Sequence, residues 1–194
     1  MPHITADTLL SLERYHKERA AFRARVIAHK KLRTLHLGDH VTLLFEDELT
    51  IRYQVQEMLR VERIFEEEGI AEELATYNPL IPDGSNWKAT MLIEYSDVNE
   101  RQDMLAKLKG IEREVRVQVA GFDPVFAIAD EDLERENADK TSAVHFLRFE
   151  LTPAMAAALR GGAALALAVH HDHYRAELAP VAEAQRAALL ADLA

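Results

Sequence analysis

Histidine is the residue type in this sequence that can serve in the most kinds of chemistry, because neutral imidazole binds metals and accepts protons near neutral pH. Nine histidines are present, and the densest group is the run His170-His171-Asp172-His173, which follows an apolar segment. His145 lies in another segment, on the side that carries its hydrophobic residues. If the strands holding His145 and His171 are neighbours, both imidazoles face one pocket.

Two interpretations of these histidines follow. The first is a site for iron or zinc, held through His and Glu side chains, with His145, His171 and His173 as the candidate ligands. In the second, the histidine run is a polar surface loop and His145 is a hydrogen-bonded core residue. A lone imidazole on an apolar strand face is usually of the second kind.

Arginine, amide and carboxylate side chains form a second group of candidates on the predicted helix 47–68 and in the loop that follows it. The loop 78–86 contains two prolines and a Pro-Asp-Gly turn, which makes it stiff. Guanidinium and amide groups donate hydrogen bonds to anions. A ligand or anion site is one hypothesis, and an ion-paired solvent face of the helix is the other. The candidate residues are Arg52, Gln56, Glu57, Arg60, Asp83, Ser85, Asn86 and Lys88.

Positive charge is concentrated near the start of a chain whose net charge is −10. Residues 14–33 contain eight basic residues and one acidic residue, a local charge of +7 that leaves −17 for the remainder. Such a helix can bind an acidic partner, or it can be a solvated face. For partner binding, the candidates are Arg19, Arg23 and Arg60.

Several classes of chemistry are excluded or disfavoured. The chain has no cysteine, so its own thiolates cannot form disulfides or ligate an iron–sulfur cluster. It contains no phosphate-binding glycine loop, serine-hydrolase elbow or His-Glu-x-x-His zinc motif. The negative net charge disfavours nucleic-acid binding, and no apolar stretch is long enough to span a membrane. We therefore expect a cytoplasmic protein.

The hydrophobic pattern predicts an α+β fold, with an antiparallel or mixed sheet and packed helices in a single domain over residues 1–194. Helices are expected from residue 5 or 7 to about 33, at 47–68, near 71–77, from 97 or 99 to 109, after Thr152, and from about 178. Strands are expected at 34–37, 40–45, 88–95, 114–119, 125–129, 143–151 and 164–169.

Two local features are specific enough to test. Gly38-Asp39 predicts a two-residue hairpin turn, which would place Leu37 opposite His40 and His36 opposite Val41. In the helix 47–68, Ile51, Val55, Met58 and Phe65 are expected to face inward, and Gly69 to end the helix.

Four long stretches of the sequence resemble a bacterial family known as domain-of-unknown-function family 3501. They are residues 22–28, 53–65, 77–86 and 141–150, and the likeness extends over essentially the whole chain. No activity, cofactor or catalytic residue is attached to this family. Its members are commonly encoded beside a rubrerythrin-like protein and an iron–sulfur oxidoreductase.

The resemblance implies an accessory or binding protein in an iron-dependent redox or oxidative-stress system. Any iron–sulfur cluster would then belong to a partner, since this chain has no cysteine. The alternative is a small enzyme, or a metal- or anion-binding domain, with a pocket of Arg, Glu and His residues. The sequence leaves open whether the protein is an enzyme, what its ligand is, and its oligomeric state.

Overall fold

Nine strands and six helices are present in the computed structural model, which describes residues 3–132 and 135–194. The strands are β1 (Thr34–Leu37), β2 (Val41–Phe45), β3 (Asn86–Ile93), β4 (Val115–Val119), β5 (Val125–Phe126), β6 (Ile128–Ala129), β7 (Val144–Glu150), β8 (Leu165–His171) and β9 (Tyr174–Leu178). The helices are α1 (Leu12–Lys30), α2 (Glu48–Glu62), α3 (Glu67–Tyr77), α4 (Val98–Lys107), α5 (Pro153–Arg160) and α6 (Glu183–Leu190).

The strands form two antiparallel sheets, which confirms the predicted α+β class. One sheet has the order β1-β2-β3-β7-β6 and the other has the order β5-β4-β8-β9. Successive side chains of a strand point to opposite faces of the sheet, and the apolar ones are on the buried face. In β3 the buried face carries Trp87, Ala89 and Met91, and the opposite face carries Lys88 and Thr90. Because the inner faces of both sheets contribute to one hydrophobic cluster, the main core lies between the sheets.

The helices α2 and α3 have a hydrophobic cluster of their own. Its buried members come from the N-terminal segment, α2, α3 and the loop before β3, and they are Ile4, Ile51, Val55, Leu59, Leu74 and Ile81. By contrast, α6 is fastened to the main core, where the Trp87 indole N–H donates to the Leu189 carbonyl oxygen at 2.8 Å. None of the helices in the described residues is long and apolar enough to cross a membrane.

The hairpin of β1 and β2 differs from the predicted two-residue turn. Leu37 pairs with Val41 and His36 with Thr42, so the predicted register is wrong and the loop comprises residues 38–40. Gly38 has a φ of +69°, which a glycine adopts without a Cβ clash. In this longer loop the His40 ring stacks on Tyr95, with 3.9 Å between centroids.

The boundary between the helices predicted at 47–68 and near 71–77 is misplaced: α2 ends at Glu62, and α3 already begins at Glu67. Arg63 adopts a left-handed conformation, with φ of 56°, and ends α2, while α3 begins at Glu67 and contains Gly69 instead of stopping there. Phe65 lies in the connection and is 65% exposed, whereas Leu59 joins the buried side. The expectation that Phe65 faces inward was wrong because the periodicity was continued through this break.

The segment 125–129 was expected to form one strand beside 114–119, and the structure divides it between the sheets. β5 pairs with β4, but β6 pairs with β7 of the other sheet. The chain therefore passes from one sheet to the other at Ala127. The sequence also did not predict β9, which pairs with β8 and makes the histidine run part of a hairpin.

Candidate functional site

Glu57 is the centre of a charged cluster that joins α1 to α2. Its carboxylate accepts hydrogen bonds from the Tyr15 hydroxyl at 2.6 Å and from the Arg19 guanidinium at 2.7 and 2.8 Å. Arg60 donates to the same carboxylate at 3.2 Å. The hydrogen bonds from Arg19 are the main reason that the pKa of Glu57 falls to about 2.

The other polar residues of α2 bind the N-terminal segment. The Arg52 side chain donates to Glu48 at 2.6 Å and to the Thr8 carbonyl oxygen at 2.7 Å. The buried amide of Gln56 accepts from the Leu10 N–H at 2.8 Å and donates to the Leu10 carbonyl oxygen at 3.3 Å. Arg52, Gln56 and Arg60 therefore already have protein partners where the sequence predicted an anion site.

The surface of α1 that points away from α2 has a different character. Four cations, Lys17, Arg23, Arg25 and Lys31, are exposed on this helix and its C-cap, and within the described residues none lies within 4 Å of a carboxylate; Arg25 lies over the Phe22 ring. Between them lie the exposed alanines at 20, 24 and 28, and Ile27, which is 42% exposed. We call this surface the outward face of α1.

A buried arginine lies at the junction of α1, β2 and α6. Arg33 is 2% exposed, and its guanidinium donates to the main-chain oxygens of Phe45, Glu46 and Ala188 and to the Asp192 carboxylate. Asp47 Oδ2 lies 3.5 Å from Arg33 Nε and 2.5 Å from His29 Nε2.

This group of side chains lines a cleft of about 640 Å³ that also reaches the loop at Asp83 and Gly84. Burial raises the pKa of Asp192 to about 6, against the opposing attraction of Arg33. From the sequence, Arg33 is one basic residue of the segment 14–33, and neither Asp192 nor Asp47 was predicted to belong to a site. No local signal marks them, because residues 33 and 192 meet only in the folded chain.

The loop 78–86 is held by its own polar groups and by hydrogen bonds with neighbouring segments. Asp83 Oδ1 accepts from the Ser85 N–H and hydroxyl at 2.9 and 2.7 Å, and the buried Asn86 amide donates to Glu150 at 3.0 Å. Lys88 Nζ donates to the carbonyl oxygens of Pro79 at 2.6 Å and Ile81 at 2.9 Å.

Of the residues predicted to bind a ligand, Lys88 is the one that lines a cavity with apolar walls. This cavity, of about 320 Å³, is shared with Leu80, Phe146 and Arg148. Burial lowers the pKa of the Lys88 ammonium group. Arg148 is paired with Glu131, at 2.7 Å from each carboxylate oxygen.

His145 is a fully buried residue of β7 with partners on both ring nitrogens. Nδ1 lies 2.6 Å from Asp130 Oδ2, and Nε2 lies 3.0 Å from both the Thr141 hydroxyl and the Ser142 carbonyl oxygen. Asp130 also accepts from the Phe146 N–H at 3.0 Å. These contacts are those of a hydrogen-bonded core histidine.

His171 and His173 belong to the hairpin of the second sheet, with 5.8 Å between their ring centroids. His171 Nε2 lies 3.1 Å from the Lys109 carbonyl oxygen, and Nδ1 accepts from the His173 N–H at 3.2 Å. The structure does not pair the strands of His145 and His171, which lie in different sheets. In residues 3–132 and 135–194, no group of three His, Asp or Glu residues is arranged to hold a metal ion.

Comparison with known proteins gives a family match and a close structural relative. A family model described as "Protein of unknown function (DUF3501)" matches residues 3–193. The chain is also similar to a novel protein of unknown function from Burkholderia pseudomallei K96243, at 54% identity over 100% of each chain; its crystal structure superposes with a TM-score of 0.95. No curated protein matches the sequence significantly.

Proposed function

This chain belongs to the DUF3501 family of proteins of unknown function, and from that starting point we propose that it is a binding protein that docks an acidic partner through the outward face of α1. The observation that carries the proposal is the set of unpaired cations on that face. Two other cations of the same helix are neutralised within the protein, Arg19 by Glu57 and Arg14 by Glu18.

The chemistry of the face suits a partner that presents carboxylates around an apolar patch. Lys17, Arg23 and Lys31 supply positive charge without having to break an internal ion pair. Because alanine side chains are small, a partner can approach the helix closely at positions 20, 24 and 28, and Ile27 supplies apolar area that the contact would bury. Charge complementarity of this kind increases the association rate and selects the partner.

We place this association in a cytoplasmic, iron-dependent redox or oxidative-stress system, as the family resemblance implies. The partners proposed are a rubrerythrin-like protein and an iron–sulfur oxidoreductase, and any redox centre would be theirs. The alternative, a pocket of Arg, Glu and His residues, has less support, because Arg60, Asn86, His145 and His171 are on separate elements and each has its own protein partners.

The test is the affinity of the protein for the rubrerythrin-like protein encoded in the same genome, measured by calorimetry at low and high salt. The double variant Arg23→Glu/Lys31→Glu should weaken binding by about tenfold or more, and added salt should weaken binding by the unaltered protein. Arg19 and Arg60 are left unchanged, since replacing them would break the contacts with Glu57 and change the fold stability.

A matched control removes the same kind of charge elsewhere. Arg175 is exposed on β9, in the other part of the molecule, and Arg175→Glu should leave the affinity unchanged. Equal binding by the double variant and the unaltered protein would refute docking through α1.

A further inference from the structure

A cleft of about 390 Å³ lies at the edge of the first sheet, between the 3₁₀ turn Ile111–Arg113 and residues 130–132 and 135–136. Its charged lining includes Glu112, Arg113, Asp130, Asp132, Arg135 and Glu136. Carboxylates outnumber the guanidinium groups. The cleft is distinct from the outward face of α1 and plays no part in the function proposed above.

Glu112 is buried in this cleft without adequate compensation for its charge. The residue is 3% exposed, and among the described residues its Oε2 atom has no hydrogen-bond partner. Its Oε1 atom lies 3.4 Å from Arg113 Nε, but the Arg113 side chain is 78% exposed to water. A buried carboxylate oxygen without a donor costs free energy comparable to a lost charge-assisted hydrogen bond.

A second carboxylate of the cleft also has a buried oxygen without a hydrogen-bond donor. Glu136 Oε2 is buried and has no hydrogen-bond partner within the described part of the chain. Two unsatisfied carboxylate oxygens in one cleft are an unusual feature, because buried polar atoms in folded proteins nearly always have partners.

Arg135 is the cation within the cleft, and its charge is directed to other carboxylates. Its Nη2 donates to Asp132 Oδ2 at 2.5 Å, while its Nε lies 3.2 Å from Asp130 Oδ1 and is buried without a hydrogen-bond partner among the described residues. The same group stacks over the Phe146 ring, 4.5 Å from the ring centroid. The Arg135 guanidinium therefore pairs with Asp132 and stacks on Phe146, and it contacts neither Glu112 nor Glu136 through an ion pair in the described residues.

We propose that the cleft binds a small organic cation with N–H donors, an ammonium or guanidinium group, whose hydrogens pair with Glu112 and Glu136. Ionised carboxylates only accept hydrogen bonds, so a ligand rich in donors satisfies them. Charge-assisted N–H to carboxylate bonds are also the stronger kind. A metal ion fits less well, because no group of three ligating side chains is assembled in residues 3–132 and 135–194.

The experiment is calorimetric titration of the purified full chain with methylammonium, putrescine and agmatine. Tetramethylammonium, which carries the charge but has no N–H donor, is the control at equal ionic strength. We expect saturable binding of at least one N–H cation and none of tetramethylammonium. Equal binding of all four cations, or binding of none, would overturn the proposal.

Variants of the two glutamates connect binding to the cleft. Glu112→Gln and Glu136→Gln keep the side-chain volume, and each should weaken binding by about tenfold or more, the loss expected for one charge-assisted hydrogen bond. Glu114→Gln, at an exposed position two residues after Glu112, should leave affinity unchanged.

The stability of the unliganded variants gives a further readout that does not depend on the choice of probe. Removing a buried and unpaired charge should leave the melting temperature of Glu112→Gln unchanged or raise it. A clear drop in melting temperature would show that Glu112 has an internal partner, and the proposal would then be wrong.

Discussion

At the scale of single residues, the strongest physical constraint is the buried charge of Arg33. Its guanidinium donates hydrogen bonds to the main-chain oxygens of Phe45, Glu46 and Ala188. One side chain therefore connects β2 and the segment after it to α6. The Asp192 carboxylate accepts a hydrogen bond from Nη2 of the same guanidinium. A buried cation with such partners is costly to disrupt, because each lost partner leaves an unsatisfied group.

The raised pKa of Asp192 makes a prediction about pH. With a pKa of about 6 in the folded protein and about 4 in the unfolded chain, the folded state binds the proton more tightly between these values. The contribution of Asp192 to stability is therefore fully present below about pH 4 and is lost as pH rises through 6. The total change is on the order of 2–3 kcal/mol.

Urea unfolding of the unaltered protein and of Asp192→Asn, compared from pH 4 to pH 7, measures this contribution. The variant should gain stability relative to the unaltered protein as pH rises, because asparagine does not ionise. Carbon-13 NMR of the Asp192 carboxyl group should give a midpoint near 6. A midpoint at or below the usual value for aspartate would contradict the prediction.

At the scale of elements, α1 and α2 are held together by a narrow line of contacts with Glu57 at its centre. Tyr15 and Val26 are the buried residues of α1, and most of the helix faces solvent. The apolar contact between the two helices is limited. The hydrogen bonds of Tyr15 and Arg19 to Glu57 therefore contribute a larger share of the free energy that stabilises the contact of α1 with α2. Burial and the bond to Glu57 both raise the pKa of the Tyr15 hydroxyl.

Glu57→Gln should destabilise the protein at neutral pH by about 1–2 kcal/mol, since the arginines are partly exposed and water screens their charge. The pKa of Glu57 is lowered to about 2, so its stabilising effect is present above about pH 4.5 and is lost as pH falls toward 2. The difference between variant and unaltered protein should shrink over that range in denaturant unfolding.

Glu18→Gln is the matched control for this helix. Glu18 pairs with Arg14 in an exposed contact, with 49% and 66% of the two side chains accessible, and such pairs contribute little. A loss as large in Glu18→Gln as in Glu57→Gln would show that the contacts with Glu57 have no special importance for the packing of α1 on α2.

At the scale of the whole molecule, the two sheets meet at their β1 and β9 edges through Tyr174. Its hydroxyl donates to the Leu37 carbonyl oxygen at 2.5 Å and accepts from the His40 N–H at 3.1 Å. Gly38 lies directly beneath: a Cβ placed there would be 2.6 Å from the Tyr174 hydroxyl oxygen. The absence of a side chain at this position lets the loop of one sheet contact the edge strand of the other.

Gly38→Ala should therefore lower the free energy of unfolding by more than the strain of a left-handed alanine, because the added Cβ would also clash with Tyr174. Gly110→Ala is the control, because Gly110 has a similar positive φ of 83° and, among the described residues, no atom within 4 Å of the place that a Cβ would occupy. Both variants lose about 1 kcal/mol from the left-handed conformation, and Gly38→Ala should lose a further 1–2 kcal/mol, about the cost of forcing an atom into a packed site. Equal losses in thermal unfolding would show that Tyr174 moves away freely.

Much of the fold could be predicted from local patterns. Helix caps at Asp47, Asp97 and Thr152 and alternation along β3 and β7 act over a few residues, so the elements they mark were found within a few positions. The start of the first helix was wrong: it was expected at residue 5 or 7, but α1 begins at Leu12 with Ser11 as its cap. The break at Arg63 was missed because neither Gly nor Pro marks it. β9 was missed although it carries a strand signal, because half-buried apolar residues alternate with exposed charged residues along this edge strand.

The candidate sites were less predictable, since their members are distant in sequence. The basic charge of residues 14–33 was visible at once, but which cations stay unpaired depends on Glu57, Asp47 and Asp192, which are supplied by α2, its N-cap and the C-terminal segment. Among the predicted partner-binding residues, Arg23 keeps an exposed side chain, while Arg19 and Arg60 contact Glu57.

The sequence by itself determined the α+β class, the absence of thiolate chemistry and the concentration of positive charge near the N-terminus, because composition and short-range periodicity are properties of the chain before it folds. Only the tertiary structure decided which charges are neutralised, that His145 bonds to Asp130, and that Glu112 and Glu136 share one cleft. Those outcomes depend on distances between segments far apart in the chain, which are set when the two sheets and the helices pack against one another.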